Sequence, residues 1–194
     1  KDLRGLLLTD PIAVPEWKEK RHEVFYYLNL IARAEHRYLG RSTVGDGEID
    51  SFLPVSDERR ESARLMLSGA GADLSRPLVA LGAGSTNSMA KRWGTDKFAE
   101  LNDRLKADLR AETILVGAPE EADVSRAVVE RSRMKPLDLT GKTSLAEAAA
   151  VLSVADLLVS NDMGLAHVAP AVGTRAVVIF GPTNPVTTRP YSAL

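Results

Sequence analysis

Leu157-Leu158-Val159-Ser160, followed by Asn161-Asp162-Met163-Gly164-Leu165-Ala166-His167, decides the fold. Leu157 to Val159 reads as a strand buried on both faces, because the crossover helices of a βαβ unit cover a parallel sheet from both sides. The residues after it then stand at the strand's carboxyl end, where open α/β sheets bind ligands. An acid, a glycine and, five residues after the acid, an imidazole occupy that end. Two readings fit this placement: Asp162 is the N-cap of the next helix, or it belongs to a site.

The same grammar extends outward from Pro77. Leu78 to Leu81 is an expected strand, followed by the loop Gly82-Ala83-Gly84-Ser85-Thr86-Asn87-Ser88. Phe98, Leu101, Leu105 and Leu109 recur at helical spacing and predict one buried face. Strands are expected over Thr113 to Val116, Leu137 to Leu139 and Ala176 to Phe180, with helices between them. One helix carries Ala127 and Val128, and a short one carries His167 and Ala171. Ser144-Leu145-Ala146-Glu147 matches a capping box and predicts a helix that runs through Leu152. Strands alternating with helices give the α/β class with a doubly wound parallel sheet.

The first seventy residues do not follow this pattern. Val24, Tyr27, Leu28 and Ile31 form a helical apolar stripe, and Gly40 to Gly47 reads as a polar linker. Arg59 to Gly69 is an expected helix, and a boundary is expected near Asp50 to Ser56. The division that follows is 1–55 and 56–194. The chain opens in mid-pattern at Leu6-Leu7-Leu8 without an initiator Met, which reads as a piece of a longer protein.

Composition narrows the function. A formal net charge of -1 gives no basic footprint for nucleic acid and no polybasic membrane anchor. With no cysteine, disulfides, thiolate metal sites and cysteine nucleophiles are excluded. No apolar run approaches the ~20 residues that span a bilayer, and no signal peptide is recognised, so a cytoplasmic location is expected.

The strand-end loops hold the candidate chemistry. Gly82 to Thr86 offers backbone N–H groups and two hydroxyls, from Ser85 and Thr86, and Lys91 and Arg92 follow closely. That set suits a diphosphate, although a glycine turn with exposed basic residues reads the same way. The P-loop pattern is absent, and Asn87 stands where the dinucleotide fingerprint needs Gly or Ala, which disfavours a dehydrogenase. Glu120 and Glu121 stand at an expected helix start, where carboxylates favour the dipole. The other reading gives one of them a sugar or ribose hydroxyl. Thr143 fits either a base pocket or turn chemistry beside the Ser144 cap. Trp93 reads as packing, His22 and His36 as solvated. Gly181 to Pro185 is a turn from which Thr183 or Asn184 could face the same crevice.

In series, five blocks resemble one family. They are Gly82-Ala83-Gly84-Ser85-Thr86 through Ala90-Lys91-Arg92-Trp93, then Val116 through Glu121, then Leu139-Thr140-Gly141-Lys142-Thr143-Ser144-Leu145. Ser160-Asn161-Asp162-Met163-Gly164-Leu165-Ala166-His167 and Phe180-Gly181-Pro182-Thr183 complete the set. The chain is similar to the carboxyl-terminal half of the ADP-heptose:lipopolysaccharide heptosyltransferases, glycosyltransferase family nine, and its Asn-Asp loop and Ala-Lys-Arg-Trp run to the heptosyltransferase II branch.

The resemblance implies a two-domain GT-B fold, with this half Rossmann-like and holding the nucleotide sugar. It implies that residues 1–55 are the tail of the acceptor domain with its linker. Ser85 or Thr86 and Lys91 would contact the diphosphate. Asp162 with the backbone of Met163, Gly164 and Leu165 would hold sugar hydroxyls and phosphate, and His167 would support that loop. Glu121 would be the acidic ribose- or sugar-side residue, and Thr143 would lie near adenine. Lys91 and Asp162 would support the transition state, while the base would come from the amino-terminal domain. Met163 departs from the small hydroxyl residue of the family motif and removes one side-chain hydrogen bond.

The expected partners are therefore a nucleotide sugar, a lipopolysaccharide core acceptor and the amino-terminal domain, with peripheral contact at the inner membrane face and neither cofactor nor metal. Electrostatic stabilisation of the leaving diphosphate by Lys91 and loop N–H groups needs no metal. Two rival classes are a nucleotide-sugar epimerase of similar fold and a non-catalytic nucleotide-binding module.

Overall fold

The computed structural model describes residues 7–45, 49–85 and 88–192. Thr86 of the glycine loop lies outside the described residues, as do Leu6, Asn87 and the Asp46-Gly47 end of the expected linker. The elements begin with α1 (Glu23–Leu39), α2 (Asp57–Gly69), β1 (Leu78–Gly82) and α3 (Thr95–Leu109). They continue with β2 (Glu112–Leu115), α4 (Ala122–Arg131), β3 (Leu137–Asp138) and α5 (Leu145–Ser153). The last are β4 (Leu157–Asn161), α6 (Gly164–Ala171), β5 (Arg175–Ile179) and α7 (Pro185–Thr188).

Residues group into two compact units, Ser51–Thr183 with Pro190–Leu194, and Lys1–Asp50 with Asn184–Arg189. The division expected at 55/56 and this grouping differ by five residues, because 51–55 has partners in the α/β unit: Leu53 N–H donates to the Ala171 carbonyl at 2.6 Å.

The α/β unit is a five-stranded, all-parallel sheet in the order β3-β2-β1-β4-β5. Alternation along each strand builds two cores. Leu78, Ala80, Ile114 and Leu158 face α2, α5 and α6, where Leu67, Val151 and Ala169 meet them. Val79, Leu81, Leu115 and Val159 face α3 and α4 and pack on Phe98 and Val128. Helices on both faces make the sheet doubly wound, as the sequence pattern implies. The chain winds from β1 to β2 and β3, then crosses back to lay β4 on the other side of β1. The β1/β4 seam is therefore the topological switch point.

Local chemistry sets the helix ends. Ser144 and Glu147 form the predicted capping box, with Ser144 N–H donating to Glu147 Oε2 at 2.8 Å and Glu147 N–H to Ser144 Oγ at 3.3 Å. Strand bounds shift by one or two residues from expectation, because ladder pairing and not hydropathy defines them. Polar Glu112 pairs with Leu78, and Arg175 with Leu157. On α3 the expected face needs correction at its end. Leu109, the last residue of α3, is 61% exposed, and the buried face two turns earlier includes polar Asn102, whose Oδ1 accepts from Thr113 Oγ1 at 2.6 Å.

In the other unit, α1 carries the apolar stripe, but none of its residues is buried, with Tyr27 57% and Ile31 49% exposed. His22 is not a solvated bystander. Its Nδ1 accepts from Val24 N–H as the α1 N-cap, and its Nε2 donates to the Arg189 carbonyl at 2.6 Å. Asn184 caps α7, its Oδ1 accepting from Val186 N–H at 3.0 Å. Among the described residues no helix is long and apolar enough to cross a membrane.

Candidate functional site

A cavity of about 570 Å³ opens at the carboxyl ends of the strands. Its volume is within the range of small-molecule sites. Ser85 comes from the loop after β1 and Lys91 from the 3-10 turn Met89–Lys91. Gly117, Ala118, Pro119 and Glu121 follow β2, and Thr143, Ser144 and Leu145 follow β3. Asp162 and Met163 follow β4, and Gly164, Leu165 and His167 open α6. Every expected site residue inside the described residues lines this one cavity. Thr86 is the one whose placement is not described.

Asp162 is its electrostatic centre. The side chain is 6% exposed, and its Oδ2 accepts from Lys91 Nζ and from Thr183 Oγ1, each at 2.7 Å. Burial pushes the Asp162 carboxyl up. The bonds from Lys91 and Thr183, with the Lys91 and His167 charges, outweigh that and hold it below its ordinary value. The carboxylate stays ionised beside its cation.

The cap reading of Asp162 does not hold. The N-cap of α6 is Met163, which makes no side-chain cap bond. The opening N–H groups of a helix have no acceptor within it, so the α6 start meets the cavity without a side-chain cap from Met163. Met163 instead packs its thioether toward the β1/β4 seam. A Cβ added at Gly82 would lie 2.9 Å from its Sδ.

Glu121 is buried, 2% exposed, and its Oε2 accepts from Ala118 N–H at 3.0 Å. A Cβ at Gly84 would fall 2.2 Å from that carboxylate, so the glycine lets the β1 loop close over it. Glu120 is exposed and lies outside the cavity lining, as the helix-start reading has it. Arg92 serves the loop: its Nη2 and Nε donate to the Ser85 carbonyl at 3.0 and 3.3 Å. Trp93 packs edge-on against Phe98, with ring centroids 5.2 Å apart.

The model of Glycosyltransferase family 9 (heptosyltransferase) matches residues 8–194. The chain belongs to glycosyltransferase family 9. A lipooligosaccharide heptosyltransferase 2 of Haemophilus influenzae is 32% identical over 120 residues, 60% of this chain and 35% of that protein. A solved family 9 glycosyl transferase from Veillonella parvula is 28% identical with a TM-score of 0.76, over 97% of this chain and 52% of that one. The solved E. coli ADP-heptose lipopolysaccharide heptosyltransferase II is 25% identical with a TM-score of 0.66, over 73% of this chain and 43% of that one. This family 9 chain thus spans about a third of the length of the first relative and about half of the V. parvula one.

Two residues of the family 9 chain gain roles that their sequence positions did not reveal. Asn161 is fully buried. Its Nδ2 donates to the Ala83 and Gly84 carbonyls at 2.8 and 3.2 Å, and its Oδ1 accepts from Trp93 N–H at 2.9 Å. It ties β4 to both ends of the segment that carries Ser85 and Lys91. A polar side chain ending an apolar strand was the available signal. Thr183, one of two crevice candidates, is the one that reaches Asp162.

Proposed function

We propose that this chain is the nucleotide-sugar half of a glycosyltransferase that moves a heptose from ADP-heptose to the inner core of lipopolysaccharide. The observation that carries the reading is the Lys91–Asp162 pair, its carboxylate buried and its ammonium part-exposed, at the mouth of the switch-point cavity, beside a glycine loop and a helix start without a side-chain cap. Family membership and the likeness to an ADP-heptose lipopolysaccharide heptosyltransferase support the donor and acceptor named. The unit built on 51–183 then holds the nucleotide sugar, and residues 1–50 are the tail of the acceptor domain.

Glycosyl transfer puts negative charge on the departing diphosphate and positive charge on the anomeric carbon. Lys91 meets the former as a cation already at the cavity, and Ser85 or Thr86 is the other side-chain contact to the diphosphate. Asp162 and the backbone of Met163, Gly164 and Leu165 hold sugar hydroxyls and phosphate, with His167 supporting the loop. Glu121 accepts from a ribose or sugar hydroxyl, and Thr143 lies near adenine. No metal enters this scheme. The acceptor hydroxyl and the base that takes its proton come with the acceptor domain. Work at the cytoplasmic side, with peripheral contact at the inner membrane, follows from a lipid-borne acceptor.

Calorimetry of ADP, UDP, GDP and CMP against the chain tests this directly. ADP should bind in preference, and at a hundredfold excess over Kd it should stabilise the fold by about 2.7 kcal/mol. Equal or absent binding of all four would sink the assignment.

A further inference from the structure

The two donors to Asp162 arrive on the same oxygen from opposite neighbours of its strand. β4 lies between β1 and β5. Lys91 comes from the turn after β1, and Thr183 from the loop after β5. These two segments also touch each other. A Cβ at Gly181 would stand 2.6 Å from the Ala90 carbonyl oxygen and 3.2 Å from Lys91 Cα, so the β5 loop seats against the Lys91 turn only with a glycine there.

The two donors differ in what a ligand does to them. Lys91 is a point charge on a flexible stem, 25% exposed at the cavity, and a diphosphate draws it away from the carboxylate. A buried carboxylate that loses its cation is costly unless another donor stays. Thr183 carries no charge to follow the phosphate, and its branched side chain is stiff about χ1.

We propose that Thr183 is a positioning residue for Asp162: its hydroxyl keeps Oδ2 occupied while Lys91 engages the diphosphate, and so keeps the carboxylate aimed at the sugar. The inference rests on the nucleotide-sugar reading of the cavity. The other titratable groups around Asp162 are Lys91 on the turn after β1, His167 on α6 and Glu121 on the turn after β2.

Three proteins decide it: the parent chain, Thr183→Val and Thr183→Ser. In a carbon-13 titration of the Asp162 carboxyl, identified by its loss in Asp162→Asn, Thr183→Val should raise the pKa and Thr183→Ser should leave it near the parent value. By calorimetry Thr183→Val should lose about tenfold in affinity for ADP-heptose and less than about twofold for ADP, with Thr183→Ser recovering the loss. An unmoved titration in Thr183→Val, or equal losses for both ligands, overturns the positioning role. A parent chain that binds neither ligand overturns the nucleotide-sugar reading itself, and the titration still reports separately whether Thr183 holds the carboxylate.

Discussion

Lys91 and Asp162 are chemically useful because the ammonium, with the Thr183 hydroxyl, keeps the carboxylate charged in a place where water is scarce. An ion pair with one partner almost buried is a poor source of stability, since desolvation offsets most of the attraction. Such a pair is better understood as stored electrostatic organisation, ready to meet charge on a ligand. Lys91→Ala removes the cation and should weaken ADP by about 1.5–3 kcal/mol while leaving adenosine nearly unchanged. Calorimetry with both ligands checks it. Equal effects would place the ammonium away from phosphate and return Lys91 to a purely structural role with Asp162.

At the scale of elements, the site depends on how loops are tied to strands. The β1 loop is irregular backbone close to the core, and its carbonyls need partners that no ladder supplies. Asn161 provides them from the end of β4, and Arg92 provides them from outside through the Ser85 carbonyl. Asn161→Ala would leave two carbonyls and the Trp93 N–H without those bonds in a fully buried place. The expected loss is about 2–4 kcal/mol, one to three kilocalories for each stranded group less what relaxation and water recover. Urea unfolding measures it, and a loss under about 1 kcal/mol would show that the loop finds other partners. Asp103 does a similar job on α3, where its carboxylate accepts from the N–H groups of Arg133 and Met134 and fixes the approach to β3.

For the whole molecule, the winding order matters more than any single loop. The reversal of strand order at the β1/β4 seam parts the loops at one end of the sheet and leaves a crevice there. Among the described residues the opposite end holds a smaller cavity, about 180 Å³, beside Asp156, whose carboxylate accepts from the Leu78 N–H at the foot of β1. Ligand protection should follow this polarity. In hydrogen–deuterium exchange, ADP should slow 83–85, 88–93, 117–121 and 162–167, and leave 71–77, 110–112 and 173–174 unchanged. Protection at the amino ends of the strands would contradict the placement of the nucleotide.

The sequence by itself determined the fold class and the strand-end loops that carry the candidate residues. Those properties follow from apolar periodicity, glycine placement and local capping, which act over a few neighbouring residues. The tertiary structure decided the rest. Whether Asp162 capped a helix or held a cation depended on Lys91 and Thr183, 71 and 21 residues away in the chain. Asn161 looked like the polar end of a strand until Ala83, Gly84 and Trp93 were seen around it. Leu109 kept the helical period yet is the exposed last residue of α3, while polar Asn102, two turns earlier, found Thr113 inside. Each of these outcomes is a contact between segments far apart in sequence, and pairings of that kind are fixed only when the sheet brings the strand ends together.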